Sequence, residues 1–406
     1  MEQKQSQNYS FALAVVIIVC FLLGFVTTMN NSMIDFCKQT FGLSEAQGQL
    51  VNTAFYGAYI LSIPLAFLMK RIGYKATMVL GLGVIAIGFA LNFLGIGFFG
   101  NSPAIYFIFL SCMTIVAIGI VLLQLVANPY VMVLGRPERG AFRMTLSQTF
   151  NSLATTIAPL FVSMLIVSGS QGYSAASIKT PFLGLAIFTL ILCVILYFIK
   201  LPVINEGEQS YEQGIQYKSS VFKYPHVWLC GLAIFTYMGV EIGIPSLLPA
   251  KIRALMEAGT IAAVDPTTFL PFYWGGMLVG RAFGTVVLAK FKPTPVLFTC
   301  LCGGAFFVFL SFFLPGMWSI YALIITGLFH SVMWPLIFNL GLQDLGPHTK
   351  SASGVINTGV IGAAILMPLT GLLVDKIGLV IATCTLFIYY LYIMWFAKFG
   401  SKIRTK

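Results

Sequence analysis

Gln124 and Asn128 lie in the run QLVANP, inside a stretch apolar enough to cross a bilayer, and Gln148 and Asn151 follow in RMTLSQTFN. An uncharged amide at membrane depth has no water to bond, so it must find a partner in protein, in a solvent cavity or in a ligand. A single one serves as well to glue helices together. Several on two successive spans point instead to the lining of a pathway for a polar solute. Gln148 and Asn151 are three residues apart and share one helix face.

The acids narrow the chemistry. Of the twelve Asp and Glu residues, ten fall in loops or at the ends of spans, which leaves Asp35 and Glu241 inside them. Asp35 stands close to the outer end of the first span, where solvent can reach it. Glu241 stands mid-span in TYMGVEIGIP, where an ionisable group is costly and signals function unless Arg281 pairs with it or a proton neutralises it. Near Asp35, the residues Thr27, Thr28, Asn30, Asn31 and Ser32 bring oxygens of the hard type that an alkali cation takes. His226, His330 and His348 fall in separate segments and form no nucleophile, base or metal constellation, so the chain reads as no enzyme and as needing no cofactor. His330 reads as a satisfied contact between helices, and Arg281 as a residue that binds helices together through carbonyls or an acid.

The elements that hold these groups follow from composition. With 406 residues, 58% of them hydrophobic and 9% charged, the chain lies far from the ~25% charged typical of soluble proteins and reads as a polytopic membrane protein. Apolar stretches long enough to span are expected at 11–36, 50–69, 76–97, 104–134, 141–169, 180–201, 226–250, 268–289, 294–314, 317–340, 351–373 and 378–399. The first is too long for a signal peptide and lacks a small-residue cleavage site, so it is expected to remain as a helix. Placing the N-terminus in the cytoplasm puts 17 of the 23 Lys and Arg residues inside, which fits the positive-inside rule and brings both termini to the cytoplasmic face. The net charge of +11 is thus a topology signal, with no basic domain for nucleic acid. The eight cysteines are scattered, and Cys300 and Cys302 read as packing residues.

A polar break from Asn205 to about Tyr224 divides the chain into two sets of six spans: a half at 1–202, a linker at 203–225 and a half at 226–406. The halves echo each other. Pro129 and Gly135 recur as Pro335 and Gly341 at an offset of 206, and Gln148 and Pro159 recur as Asn357 and Pro368 at an offset of 209. Such symmetry is that of transporters built from two parallel repeats, whose site lies between the halves. Each proline frees a backbone carbonyl and marks a kink.

Taken together, QLVANPYVMVLG, FRMTLSQTFNSL, YMGVE, GGMLVGRAFG and WPLIFNLGLQDLGPHTKSASG resemble the fucose:proton symporter branch of the major facilitator superfamily, which includes glucose and galactose permeases. The resemblance implies an all-α fold of twelve helices in two pseudo-symmetric halves, alternating access, and a monosaccharide bound centrally. The broader superfamily turn is irregular here: AFLMKRIGYK carries Ala66 and Lys70 where that pattern has Gly and Asp, and a cleaner copy, GLLVDKIG, follows the eleventh span. That copy alone would suggest a cytoplasmic turn, whereas the charge count over all loops places it outside.

The resemblance also implies where proton-coupled members carry acids, and Asn31 and Gln124 stand at those two positions. Neither amide can take up and release a proton at physiological pH. Sodium is therefore the expected coupling ion, with Thr28, Asn31, Asp35, Gln124 and Glu241 as the coupling set and Asn30, Asn31 and Gln124 as the oxygens for the ion. A proton carried by Glu241, and uncoupled transport, are the alternatives; efflux of another small molecule is more remote. The expected sugar site takes Asn30, Gln124, Asn128, Gln148 and Asn151 from the first half and Tyr237, Glu241, Trp274, Trp334 and Asn357 from the second. Amides and carboxylates bond hydroxyls directionally, and a Trp ring stacks on a pyranose. The expected setting is a monomer in the inner membrane of a bacterium.

Overall fold

A computed structural model describes residues 9–99, 104–133, 140–167, 174–199, 220–288, 290–343, 345 and 349–402. In lipid every backbone polar group must be satisfied within its own segment, and all regular structure among the described residues is helical. Ten helices among them are long and apolar enough to cross a membrane. With two more polar ones they run in chain order as α1 Phe11–Phe41, α2 Glu45–Met69, α3 Arg71–Phe99, α4 Ile105–Val133, α5 Gly140–Phe161, α6 Ala176–Phe198, α7 Pro225–Glu257, α8 Leu270–Leu288, α9 Pro293–Leu310, α10 Gly316–Leu342, α11 Gly354–Ile377 and α12 Leu379–Lys402. The two outside the apolar set, α5 and α8, pack against each other across the two halves.

Contacts within the first six helices recur in the last six. The pairs α1·α5, α2·α4, α3·α4 and α3·α6 find counterparts in α7·α11, α8·α10, α9·α10 and α9·α12. The seams α2·α11 and α5·α8 join the halves, with a smaller contact of α1 on α7. Most of the expected linker at 203–225 lies outside the described residues, as do the loops at 134–139 and 346–348.

Helix α1 continues to Phe41, beyond the expected end at 36. The polar residues that looked like its end are neutralised where they stand: Asp35 pairs with Arg253, and Lys38 with Glu45. Helix α2 likewise begins earlier than expected, because Ser44 and Gln47 form a reciprocal capping box at its start. In the first turn of α3, and again between α11 and α12, the chain turns sharply at Gly73 (φ 79°) and Gly378 (φ 91°). That backbone region is nearly closed to residues with a Cβ, which accounts for the glycine in both KRIGYK and VDKIGL.

Of the prolines expected to mark kinks, Pro335 stands at a break and Pro159 precedes a wider turn, and side chains take up the carbonyls that Pro245, Pro335 and Pro368 free. Pro245 cannot bond the carbonyl of Glu241, α7 breaks at Ile242, and the Tyr273 hydroxyl donates to that carbonyl at 2.9 Å. Pro335 frees the carbonyl of Ser331 at the break in α10, and Arg281 Nε donates to it at 3.3 Å. Pro368 frees the carbonyl of Ala364, and Thr53 donates to it at 2.7 Å from the other half. Pro159 is followed by a wider π turn over Val162–Val167. Asn128 and Pro129 lie within α4, but their side chains are outside the described part.

Candidate functional site

One end of the bundle, where α1 ends and α2 begins, is closed by polar contacts between the halves. Asp35 pairs with Arg253. Ser246 donates to the Asn31 carbonyl oxygen at 2.7 Å, and Asn52 donates to Ser246 at 3.4 Å. The Asp375 carboxylate accepts from the backbone N–H groups of Glu45 and Ala46 at 3.0 and 2.9 Å, the open donors at the start of α2. Ser163 donates to Asp265 at 3.0 Å. Each contact joins the first half to the second.

Deeper in the bundle the residues from the two halves surround Glu241. Arg281 interacts electrostatically with Glu241, and its guanidinium also donates to Ser152 of α5 across the halves. Tyr237 lies within hydrogen-bonding reach of Glu241, and its hydroxyl donates to the His330 carbonyl at 2.9 Å. His330 is fully buried between two tyrosines, with Nδ1 2.8 Å from the Tyr273 hydroxyl and Nε2 2.6 Å from the Tyr390 hydroxyl. Since Tyr273 gives its proton to the Glu241 carbonyl, consistent bonding makes Nδ1 the donor and Nε2 the acceptor from Tyr390. The neutral imidazole then spends both nitrogens on a structural bridge among α8, α10 and α12.

The sequence-selected residues separate by depth and by partner. Gln124, Gln148, Asn151, Glu241 and Trp334 keep part of their surface accessible although they sit in the bundle interior, whereas Asn30, Asn31, Asp35, Tyr237, Trp274 and Asn357 are buried. Thr28 is buried, and its carbonyl accepts from Ser32 at 3.1 Å. The Gln124 carbonyl accepts from the Tyr59 hydroxyl. Asn151 donates to the backbone of Cys20 at 2.9 Å and packs so closely on Gly24 that a Cβ there would lie 2.8 Å from its amide nitrogen; this amide ties α5 to α1. Trp334 stacks on Phe338 at 4.8 Å. Within the sodium set, Asn31 and Gln124 both have their carbonyl oxygens occupied by donors, and Asn30 Oδ1 has none.

Among the buried side-chain atoms that lack a partner are Asn30 Oδ1, Tyr56 Oη, Trp274 Nε1 and Asn357 Oδ1. Two belong to each half. They present two acceptors, one N–H donor and one hydroxyl. Sequence reasoning selected three of them and missed Tyr56, along with Asn52, Tyr59, Tyr273, Ser246 and Arg253. A signal was available: Gln49, Asn52, Tyr56 and Tyr59 recur at spacings of three, four and three, a polar stripe on one face of α2.

Residues 16–360 match the family model described as Major Facilitator Superfamily. The chain is 35% identical to the glucose/galactose transporter of Brucella abortus over 409 residues, which covers 99% of this chain and 97% of that protein. It is 29% identical over 436 residues to the L-fucose-proton symporter of Escherichia coli, covering 99% and 95%. A crystal structure of the Escherichia coli fucose:proton symporter superposes with a TM-score of 0.73 at 27% identity, over 97% of this chain and 99% of that one.

Proposed function

The chain belongs to the Major Facilitator Superfamily, and from that premise we propose that it takes up a monosaccharide by alternating access, coupled to a cation. The observation that carries the reading is the set of partnerless buried polar atoms contributed by both halves, of which Tyr56 interacts electrostatically with Glu241. A buried polar atom without a hydrogen bond costs about 1–3 kcal/mol, so such atoms from both halves within the bundle call for a ligand with several hydroxyls. The glucose/galactose and fucose transporters among its relatives support a hexose or deoxyhexose. An apolar substrate would leave these groups unpaired, which weighs against efflux of drugs or lipids.

Closure at one end with accessible residues deeper in the bundle describes one extreme of alternating access. With both termini cytoplasmic, as the Lys and Arg distribution supports, the closed end faces outward and the site opens inward. A bacterial cytoplasmic membrane and a monomeric protein complete the proposal.

Glu241 is the acid through which coupling acts, since Asp35 is committed to Arg253. Sodium is the ion, because Asn31 and Gln124 stand where the proton-coupled relatives carry acids and Asn30 Oδ1 offers a free oxygen of the type sodium takes. A proton on Glu241 is the second reading, favoured by the symporter relative. Counterflow of a labelled sugar panel in proteoliposomes, with and without sodium and with an imposed pH gradient, tests both levels. Stereospecific counterflow driven by sodium supports the whole proposal. Uptake that follows the pH gradient and ignores sodium overturns the ion, and no sugar counterflow overturns the substrate class.

A further inference from the structure

Tyr56 sits on the polar stripe of α2, whose other members are all engaged. Gln49 accepts from Asn52 at 2.9 Å, Asn52 also accepts from Asn30 and donates to Ser246, and Tyr59 donates to Gln124. Tyr56 is 1% exposed, and its hydroxyl has no partner. The ring itself is well held, edge-on to Phe55 at 5.3 Å and stacked on Tyr59 at 6.2 Å. Phenylalanine would keep those ring contacts, so packing does not explain the oxygen.

Register places that oxygen. The contact between Asn52 and Ser246 fixes α2 against α7, which run in opposite directions. Four residues along α2 lead to Tyr56, and five back along α7, past its break at Ile242, lead to Glu241, at about 1.5 Å per helical residue. Electrostatic interaction between Tyr56 and Glu241 agrees with this register. Tyr56 thus stands on the first half near the level of the acid of the second. Immediately after it the helix tightens to a 3-10 turn over Gly57–Leu61, a segment that touches the α11 turn carrying Asn357, so its aim is set by a local change in helix geometry.

We propose that Tyr56 is a substrate-binding residue, its hydroxyl bonding a sugar hydroxyl as the two halves enclose the substrate opposite Glu241. This rests on the sugar-transport reading above. A sugar hydroxyl can both donate to and accept from the phenol, and a substrate held by Tyr56 on one side and Glu241 on the other links the halves during the passage between open states.

The test uses the full-length protein in proteoliposomes, with wild type and Tyr56→Phe measured against a parent sugar and its single-deoxy analogues. The variant is expected to raise KM for the parent sugar about tenfold, the loss of one net neutral hydrogen bond. One deoxy analogue should lose affinity on the wild type and lose none further on the variant, because both changes delete the same bond. Thermal melting without sugar separates this from a structural role: deleting a partnerless hydroxyl should leave the melting temperature equal or higher, while sugar protects the variant less than the wild type. Wild-type KM values across the panel, or a variant that melts lower without sugar, overturn the role of Tyr56. Absence of sugar counterflow by the wild type instead overturns the transport reading on which it rests.

Discussion

Asp35 and Glu241 are the two acids that the sequence places within spans, and their surroundings differ in every respect that matters. Asp35 is 3% exposed and pairs with Arg253 from the other half. Its charge is spent on holding one end of the bundle shut. Glu241 keeps some surface accessible, stands at a break in its helix, and faces tyrosines and an arginine that has other carbonyl and hydroxyl partners. An acid consumed by a contact between halves resists their separation. An acid with accessible surface can respond to an ion or substrate.

The largest expected effect therefore belongs to Glu241. Glu241→Gln keeps hydrogen-bonding capacity and removes the charge. Concentrative uptake is expected to fall ~100-fold or more, the scale of losing an interaction with a charged group, while exchange counterflow of unlabelled for labelled sugar persists. Both are read in the same vesicles. Equal loss of the two would make Glu241 a substrate contact only, and retained accumulation would erase the contrast with Asp35.

Next comes the ion pair, where the two partners should not be equivalent. Arg253→Ala strands a carboxylate that is 3% exposed, whereas Asp35→Asn strands a guanidinium whose side chain is 21% exposed and can reach solvent. The first is expected to destabilise the closed end by about 3 kcal/mol and the second by about 1 kcal/mol. The native Cys37, buried two residues after Asp35, reports the outcome through its labelling by an impermeant maleimide in a background whose other cysteines are replaced, compared with and without each change. The reverse order, or no change in labelling, would show that Asp35 does not fasten the halves. Below these stands Asn31→Ala, which removes the acceptor for the Ser246 hydroxyl and should cost about 1 kcal/mol on the same readout.

Much of the fold was legible because lipid makes hydropathy decisive. The composition already called for spanning helices, and the repeated prolines called for breaks that the structure has at Pro335 in α10 and just after Pro159 beyond α5. The sequence named Glu241 for the same reason: charge at mid-span stands out. What it could not show was partnership. Asn31, Asp35 and Gln124 look alike as polar residues in apolar runs, yet each has its partner on a different helix, Ser246, Arg253 and Tyr59. Those pairings depend on how helices distant in the chain are registered, which span-by-span hydropathy does not encode. Tyr56 escaped notice because tyrosine counts as an ordinary interior aromatic until its hydroxyl is found without a bond.

Thr53 offers the finest test of whether the closed end is fastened by many small contacts or by its ion pair. Its hydroxyl donates at 2.7 Å to the Ala364 carbonyl that Pro368 leaves open, so one bond both satisfies a break in α11 and joins the halves. Thr53→Val keeps the β-branched shape and deletes the donor. Were the carbonyl to stay dry, the cost would approach the full penalty of an unsatisfied acceptor, about 1–3 kcal/mol; if the seam parts enough to admit water, it should fall below ~1 kcal/mol. The seam is an interface that transport must open, so the lower figure is expected, seen as a less than fivefold rise in labelling of Cys37. Combining Thr53→Val with Arg253→Ala then decides the question. Additive effects would make the end a set of independent fasteners, while a combined effect no larger than that of Arg253→Ala alone would mean that the ion pair holds the seam closed and Thr53 merely follows it.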